Sequence, residues 1–269
     1  MRSFVISDIH GHFDTFMKLL ELIDFGDSDF MYIVGDVIDR GSDGIRILQY
    51  IMRQKNMELF LGNHELMMLN AIDFDRKRDQ GLIRIDPYDD HLTPVELWTH
   101  PANGGEETQL DFYMLGEKDR NELEEYLRSL RLIKRIRIGE RSYHISHSYS
   151  LPDRFGKELF YKNAKPADAE RIVWESLFDR PGDPFRETAE RPLAYKRDIY
   201  IVGHIFTQRL NHVDEKGRGK IFECKKYRGY HIVDMDCGMA INSRSSRLGC
   251  RLLETGEDFY VPLIEEEEE

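Results

Sequence analysis

Three short apolar runs, each ending in a polar cluster that carries glycine and each followed by a helical pattern, constrain this 269-residue chain more than any other feature. Arg2 to Ser7 reads as a strand ending in Ser7-Asp8-Ile9-His10-Gly11, after which Phe13, Phe16, Met17, Leu20 and Ile23 recur at helical spacing. Phe30 to Val34 ends in Gly35-Asp36-Val37-Ile38-Asp39-Arg40-Gly41, ahead of a helical face marked by Ile45, Leu48, Ile51 and Met52. Met57 to Leu61 ends in Gly62-Asn63-His64-Glu65, with a helix expected from about Leu66. Strand and helix alternate, which predicts a βαβαβ unit with parallel strands. The carboxyl ends of neighbouring parallel strands open onto one crevice, so three loops far apart in sequence are expected to meet there.

The remainder is less regular. Arg76 to Leu132 reads as a mostly helical inserted cap, with Asp119 and Glu122 spaced as a capping box. Ile133 to Ile138 and Ser142 to Ser146 alternate around Gly139-Glu140 as a hairpin, and Ile199 to Val202 is another buried strand. Residues Gly156 to Arg197 hold Pro166, Pro181, Pro184 and Pro192 and read as a long surface connection. His231 to Asp236, Arg247 to Leu253 and Phe259 to Leu263 suggest an antiparallel finish. The expected organisation is one domain over residues 1–264, including the cap at 76–132, followed by a solvated acidic tail at 265–269.

Composition narrows the partners. The formal charge is −12, and removing the five terminal glutamates leaves −7, which disfavours general nucleic-acid binding. Cys224, Cys237 and Cys250 are odd in number and widely spaced, so neither a disulfide framework nor a zinc knuckle is expected. No secretory leader and no apolar run of bilayer length is visible, so a soluble, cytoplasmic protein without a membrane partner is expected.

Two later histidines end strands as the three clusters do: His147 after Tyr143-His144-Ile145-Ser146 and His204 after Ile199 to Gly203. His144 rivals His147, although strand alternation puts the two on opposite faces. Strand-end turn residues capping helices would account for Asp8, Asp36 and Asn63 singly, but not for the histidines or the threefold pattern. The mixed oxygen and imidazole donors suit Mn²⁺, Fe or Zn²⁺. Two such ions about 3.5–4 Å apart can clamp an in-line phosphoryl displacement. His12, His91, His100, His212 and His231 have no such context and are read as surface or structural. Trp98 and Trp174 are read as core or cap anchors, and Glu65 is given no catalytic role.

The three blocks, D-x-H-G, G-D-x-x-D-R-G and G-N-H-E, resemble those of the phosphoprotein phosphatase group within the calcineurin-like metallophosphoesterases, the bacterial and phage type above all. Asn103 to Thr108 and Asp236 to Val261 also look like parts of bacterial members. The resemblance implies an α/β fold, a four-layer α/β/β/α sandwich of mixed sheets with a partly helical insertion. It further implies that Asp8 and His10 hold one metal, that Asp36 bridges both, and that Asn63, His147 and His204 complete the second, with Mn²⁺ the favoured ion. His64 would protonate the leaving oxygen, Asp39 would orient His64, and Arg40 with Asn63 would contact phosphate oxygens.

The implied activity is a metal-dependent phosphomonoesterase, read as a serine/threonine protein phosphatase, acting on a phosphorylated protein or small phosphoester by direct attack of a metal-bridging hydroxide. The alternative is a hydrolase of diadenosine polyphosphates or another nucleotide, because related families share the three blocks. A non-catalytic phospho-ligand binder is a lesser alternative, opposed by the presence of Asp39, Arg40 and His64. The sequence departs from the family pattern at Ser7, at Ser148-Tyr149 after His147, at Ile205 after His204, and at Ser176, where an arginine is usual. Arg180 is the expected substitute for that arginine.

Overall fold

Alternation along the strands sends their apolar side chains into two separate interiors. In the computed structural model, which describes residues 1–83, 91–149, 158–178, 197–210, 215–227 and 230–264, β1 (Ser3–Ile6), β2 (Phe30–Ile33) and β3 (Met57–Leu59) are parallel neighbours. β10 (Arg247–Leu252) and β11 (Glu257–Pro262) extend this sheet antiparallel, in the order β11-β10-β1-β2-β3. A second sheet runs β6 (Glu158–Phe160), β4 (Arg131–Ile138), β5 (Arg141–Ser146), β7 (Ile199–Val202), β9 (Tyr230–Asp234), β8 (Phe222–Tyr227). Within it β5, β7 and β9 are parallel and the outer pairs antiparallel.

Val5, Phe60, Ile145, Ile201 and Val233 belong to the core between the sheets. The intervening residues Phe4, Ile6, Met31 and Ile33 join a second core with Phe16, Leu19, Ile47 and Leu48 of α1 (Phe13–Leu22) and α2 (Gly44–Met52). Each such aliphatic side chain contributes about 1.5–3 kcal/mol by leaving water. α3 (Asn63–Asp79) packs on α4 (Pro94–Thr99), α6 (Glu117–Ser129) and α7 (Pro166–Trp174), so its first half is buried nearly all round. α5 (Glu106–Met114) lies against α2 and α4. This is the α/β arrangement of two mixed sheets with helices that the resemblance implies.

Several local expectations change. The third helix begins at Asn63, not near Leu66, because the Glu65 carboxylate accepts from the Gly62 N–H at 2.9 Å and closes the first turn early. Asp119 does not cap α6; the helix starts at Glu117 behind Gly116. The capping box belongs instead to α4, where Thr93 and Glu96 satisfy each other's backbone N–H groups at 3.3 and 2.8 Å. Part of the supposed long connection is β6 and α7, and Pro166 opens that helix, where a missing N–H costs nothing. Pro181, Pro184 and Pro192, like Arg180 and the terminal glutamates, lie outside the described residues. The finish is split between the sheets: β10 and β11 pair antiparallel in the first, whereas β9 lies in the second, antiparallel to β8 and parallel to β7. Among the described residues no helix is long and apolar enough to cross a membrane.

His144 shows what alternation costs a titratable group. It is buried in β5, its ring 5.2 Å from that of Tyr200, while Tyr143 and Ile145 face the core between the sheets. Burial pushes its imidazole down to about 4. The unfolded chain takes up this proton near pH 6.5, so the folded state is fully favoured above that value and loses ground as pH falls towards 4. Between pH 7 and 4 the wild type should lose about 3 kcal/mol that His144→Leu does not, as read by urea unfolding. Identical pH slopes for the two proteins would refute this.

Candidate active site

The first two strand-end loops are zipped together by their backbones. Asp8, His10 and Gly11 donate to the carbonyls of Gly35, Asp36 and Val37 at 3.1, 3.0 and 2.9 Å, continuing the parallel pairing beyond β1 and β2. Inside this clamp the chain takes left-handed backbone angles at Asp8 (φ 53°), His10 (50°), Asp36 (52°), Asp39 (68°) and Arg40 (76°), and His204 does so at 73°. Such conformations cost roughly 1 kcal/mol or more apiece and persist where the surrounding structure imposes them. Gly35 (φ 80°) has no substitute here, because a Cβ would lie 2.6 Å from His147 Nδ1.

Asp36 sits at the centre. Its Oδ2 is 3.3 Å from His147 Nε2, 3.9 Å from His10 Nε2 and 4.0 Å from His64 Nε2, while its Oδ1 accepts from the His64 backbone N–H at 3.0 Å. It is common to two clusters whose donor atoms lie within 4.8 Å of one another: His10, Asp36 and His64, and Asp36, His147 and His204. Asn63 Oδ1 lies 3.0 Å from His147 Nε2 and 2.9 Å from His204 Nδ1. The Asp8 carboxylate accepts from the His204 backbone N–H at 3.1 and 3.2 Å and from the Ser7 hydroxyl. His10 and His147 each turn Nδ1 to a backbone carbonyl, of Ile38 at 3.1 Å and Val34 at 2.7 Å, which leaves Nε2 towards Asp36. All six residues given ligand roles by the resemblance therefore meet in one space, five of them buried and His204 half-buried. His144 lies elsewhere, against Tyr200.

The charges are unbalanced in a way that calls for cations. Burial, with Asp236 and Asp36 nearby, holds the Asp8 carboxyl well above its ordinary range. Burial and the Asp36 charge also raise Asp236 to about 7. Against the same burial penalty, His147 and His64 hold Asp36 well below the carboxylate range, and Asp36 in return lifts His147 to about 10. Buried carboxylates beside imidazoles that must borrow protons form a donor set of oxygen and nitrogen, and divalent ions would satisfy it directly. The residues present therefore fit two metal ions.

His64 is held from two sides. Its Nδ1 is 2.7 Å from Asp39 Oδ2, and Trp98 Nε1 donates to both Asp39 oxygens at 3.2 and 3.0 Å. Although burial opposes it, Asp36 and Asp39 raise the imidazole above its usual value. The Asp39 N–H donates to Thr108 Oγ1 at 3.1 Å and the Arg40 N–H to the Gly104 carbonyl at 3.0 Å, so α4, α5 and the turn between them brace this loop. Glu65 accepts from the backbone N–H groups of Asp36, Val37 and Gly62 and ties the second loop to α3.

Arg40 lines a cavity of about 470 Å³ together with His12, Leu263 and Ile264. Partial burial lowers its guanidinium, and the charge of Arg209 pushes the same way. Ser176 is buried and accepts from the Phe178 N–H at 3.0 Å, a turn role that offers no charge. Sequence reasoning missed three participants. Asp236 and Thr108 lay in stretches that already looked familial, whereas Trp98 carried no signal beyond its size.

The family described as calcineurin-like phosphoesterase matches residues 1–207. A symmetrical bis(5'-nucleosyl)-tetraphosphatase of Buchnera aphidicola subsp. Acyrthosiphon pisum (strain 5A) is 37% identical over 71 residues, 26% of each chain. One of Legionella pneumophila (strain Lens) is 36% identical over 109 residues, 40% of this chain and 36% of the relative. The chain thus spans well under half the length of these relatives. In fold, a provisionally assigned diadenosine tetraphosphatase covers 97% of this chain and 93% of its own, at a TM-score of 0.55 and 16% identity. A protein serine/threonine phosphatase of Saccharomyces cerevisiae covers 99% and 81%, at 0.54 and 14%. The curated relatives carry the name of the alternative activity class, not that of the protein phosphatase expected from the three blocks.

Proposed function

The chain belongs to the calcineurin-like phosphoesterase family, and on that premise we propose that it hydrolyses a phosphoanhydride of the dinucleoside polyphosphate class, using two divalent metal ions, Mn²⁺ by preference. The observation that carries the hydrolytic reading is the position of Asp36, common to two donor clusters, with His64 locked beside it on Asp39. Asp8, His10 and Asp36 would hold one ion, and Asp36, Asn63, His147 and His204 the other. Bound there, the ions supply positive charge for the phosphoryl oxygens and a water of lowered pKa.

The chain's own residues do the rest. Water adds to phosphorus and sheds a proton to solvent, the bond to the leaving phosphate oxygen breaks, and His64 gives that oxygen its proton from Nε2 and is reprotonated from solvent. Asp39 accepts at Nδ1 and stabilises the imidazolium, while Trp98 keeps Asp39 in place. Arg40 binds a phosphoryl oxygen, with Arg209 nearby in place of the absent arginine at Ser176. The substrate class is supported by the names of the curated relatives and by the room beside Arg40. Phosphomonoester hydrolysis is the second reading, favoured by the braced Asp39-Arg40 pair that first suggested it.

The two readings part on rates. With added Mn²⁺, diadenosine tetraphosphate should be cleaved at least tenfold faster than a phosphoserine peptide at equal concentration, yielding ADP by chromatography. A faster peptide reaction would reverse the assignment.

A further inference from the structure

At the end of the second sheet opposite the catalytic loops, the parallel strands begin where a second cavity opens. His147 and His204 follow the carboxyl ends of β5 and β7, whereas this cavity, about 670 Å³, is lined by Arg141 to Tyr143 at the start of β5, Asp198 and Ile199 at the start of β7, and His231 of β9. The strands between are up to six residues long, so about 17–20 Å separates the two ends. The volume is in the range of small-molecule sites.

The lining carries an excess of positive charge in a chain whose formal charge is −12. Two of its arginines are already neutralised by carboxylates. Arg135 pairs with both oxygens of Asp198 at 2.6 and 3.0 Å, and Arg251 pairs with Asp258 at 2.6 and 2.9 Å and with Glu223 at 2.9 Å. Four further cations are exposed on the same cavity: Arg137, Arg141, Arg197 and Lys225. Among the described residues none of these four makes an ion pair; Arg137 donates only to the Gly139 carbonyl, at 3.1 Å. The inner wall is apolar, with Ile199, Ile201 and Val233 reaching from the core between the sheets. Cationic heads around a mouth with an apolar floor recognise an anion that also carries a ring or other apolar body, and several guanidinium groups suit multiple phosphates.

We propose that this cavity is a second, non-catalytic site for a small molecule bearing two or more phosphate groups. The shared chemistry is the polyphosphate; its source is either a nucleotide or an inorganic polyphosphate. The floor favours the nucleotide.

The test is equilibrium dialysis of the metal-loaded full chain at low salt, with α,β-methylene-ADP and, separately, methylenebisphosphonate, in both of which the only bridge between phosphorus atoms is a methylene that cannot be hydrolysed. Wild type should bind two equivalents, one lost in Arg40→Ala and the other weakened roughly a hundredfold in Arg137→Glu/Arg141→Glu. Lys225→Glu, on a different strand, should weaken the same equivalent while all pocket variants keep aryl phosphate turnover within about twofold. Tighter binding of the ADP analogue identifies a nucleotide; equal binding identifies the inorganic anion; both support the site. A single equivalent that Arg40→Ala abolishes, or a second equivalent untouched by the charge reversals, overturns it. Because the readout is binding at a distance from the catalytic loops, it stands or falls independently of the substrate proposed above.

Discussion

Asp36→Asn is expected to reduce bound Mn²⁺ from two ions per chain to one or fewer and to lower turnover at least about 10³-fold, or about 4 kcal/mol of transition-state stabilisation. The amide keeps the shape of the carboxylate and can still accept the His64 backbone N–H, so the loop need not rearrange. What disappears is the negative charge shared by the two donor clusters. Replacing His10 or His204 removes a donor from one cluster only, so each should leave one ion in place. Elemental analysis after dialysis, run beside kinetics, measures both effects. Two retained ions with more than a tenth of wild-type activity would mean that Asp36 is not the bridge.

His64→Asn should lower turnover by roughly 10²–10⁴-fold while both metals stay bound. The geometry alone permits two roles, since His64 also belongs to the first donor cluster. With Nδ1 on Asp39, a neutral imidazole would present a lone pair at Nε2 and could ligate. Asp36 and Asp39 raise its pKa against burial, and a doubly protonated ring presents Nε2–H, a proton donor. The two roles differ in their response to the leaving group. A proton donor matters most when the departing oxygen is basic, so the defect should be larger for phenyl phosphate than for p-nitrophenyl phosphate. Equal defects on both, with one metal lost, would make His64 a ligand.

The convergence of the candidate site residues was legible because its information is local. Asp8, His10, Asp36, Asn63 and His64 lie within a few residues of strand ends that the apolar runs mark, and parallel pairing brings consecutive strand ends together whatever else the chain does. His147 and His204 followed from the same rule in the second sheet. Helix starts were read less well. Asn63 opens α3 because a carboxylate two residues on closes the turn, whereas apolar periodicity becomes visible only from Leu66.

What the sequence by itself determined is the chemistry: which side chains end which strands, and hence a cluster of carboxylate, amide and imidazole donors at one sheet edge. Only the tertiary structure decided how those groups are held and charged. Trp98 reaches Asp39 across 59 residues through the packing of α4 on α3, and Thr108 reaches the same loop through α5. Asp236 joins Asp8 and Asp36 because β9 lies parallel to β7 in the second sheet, not beside β10 and β11. The cationic cavity likewise exists only once β4, β5, β7 and β10 from two sheets are stacked. Sequence periodicity reports which face of one element is buried, but the partner across that face, the depth of burial and the resulting proton affinities depend on the packing of segments remote in the chain.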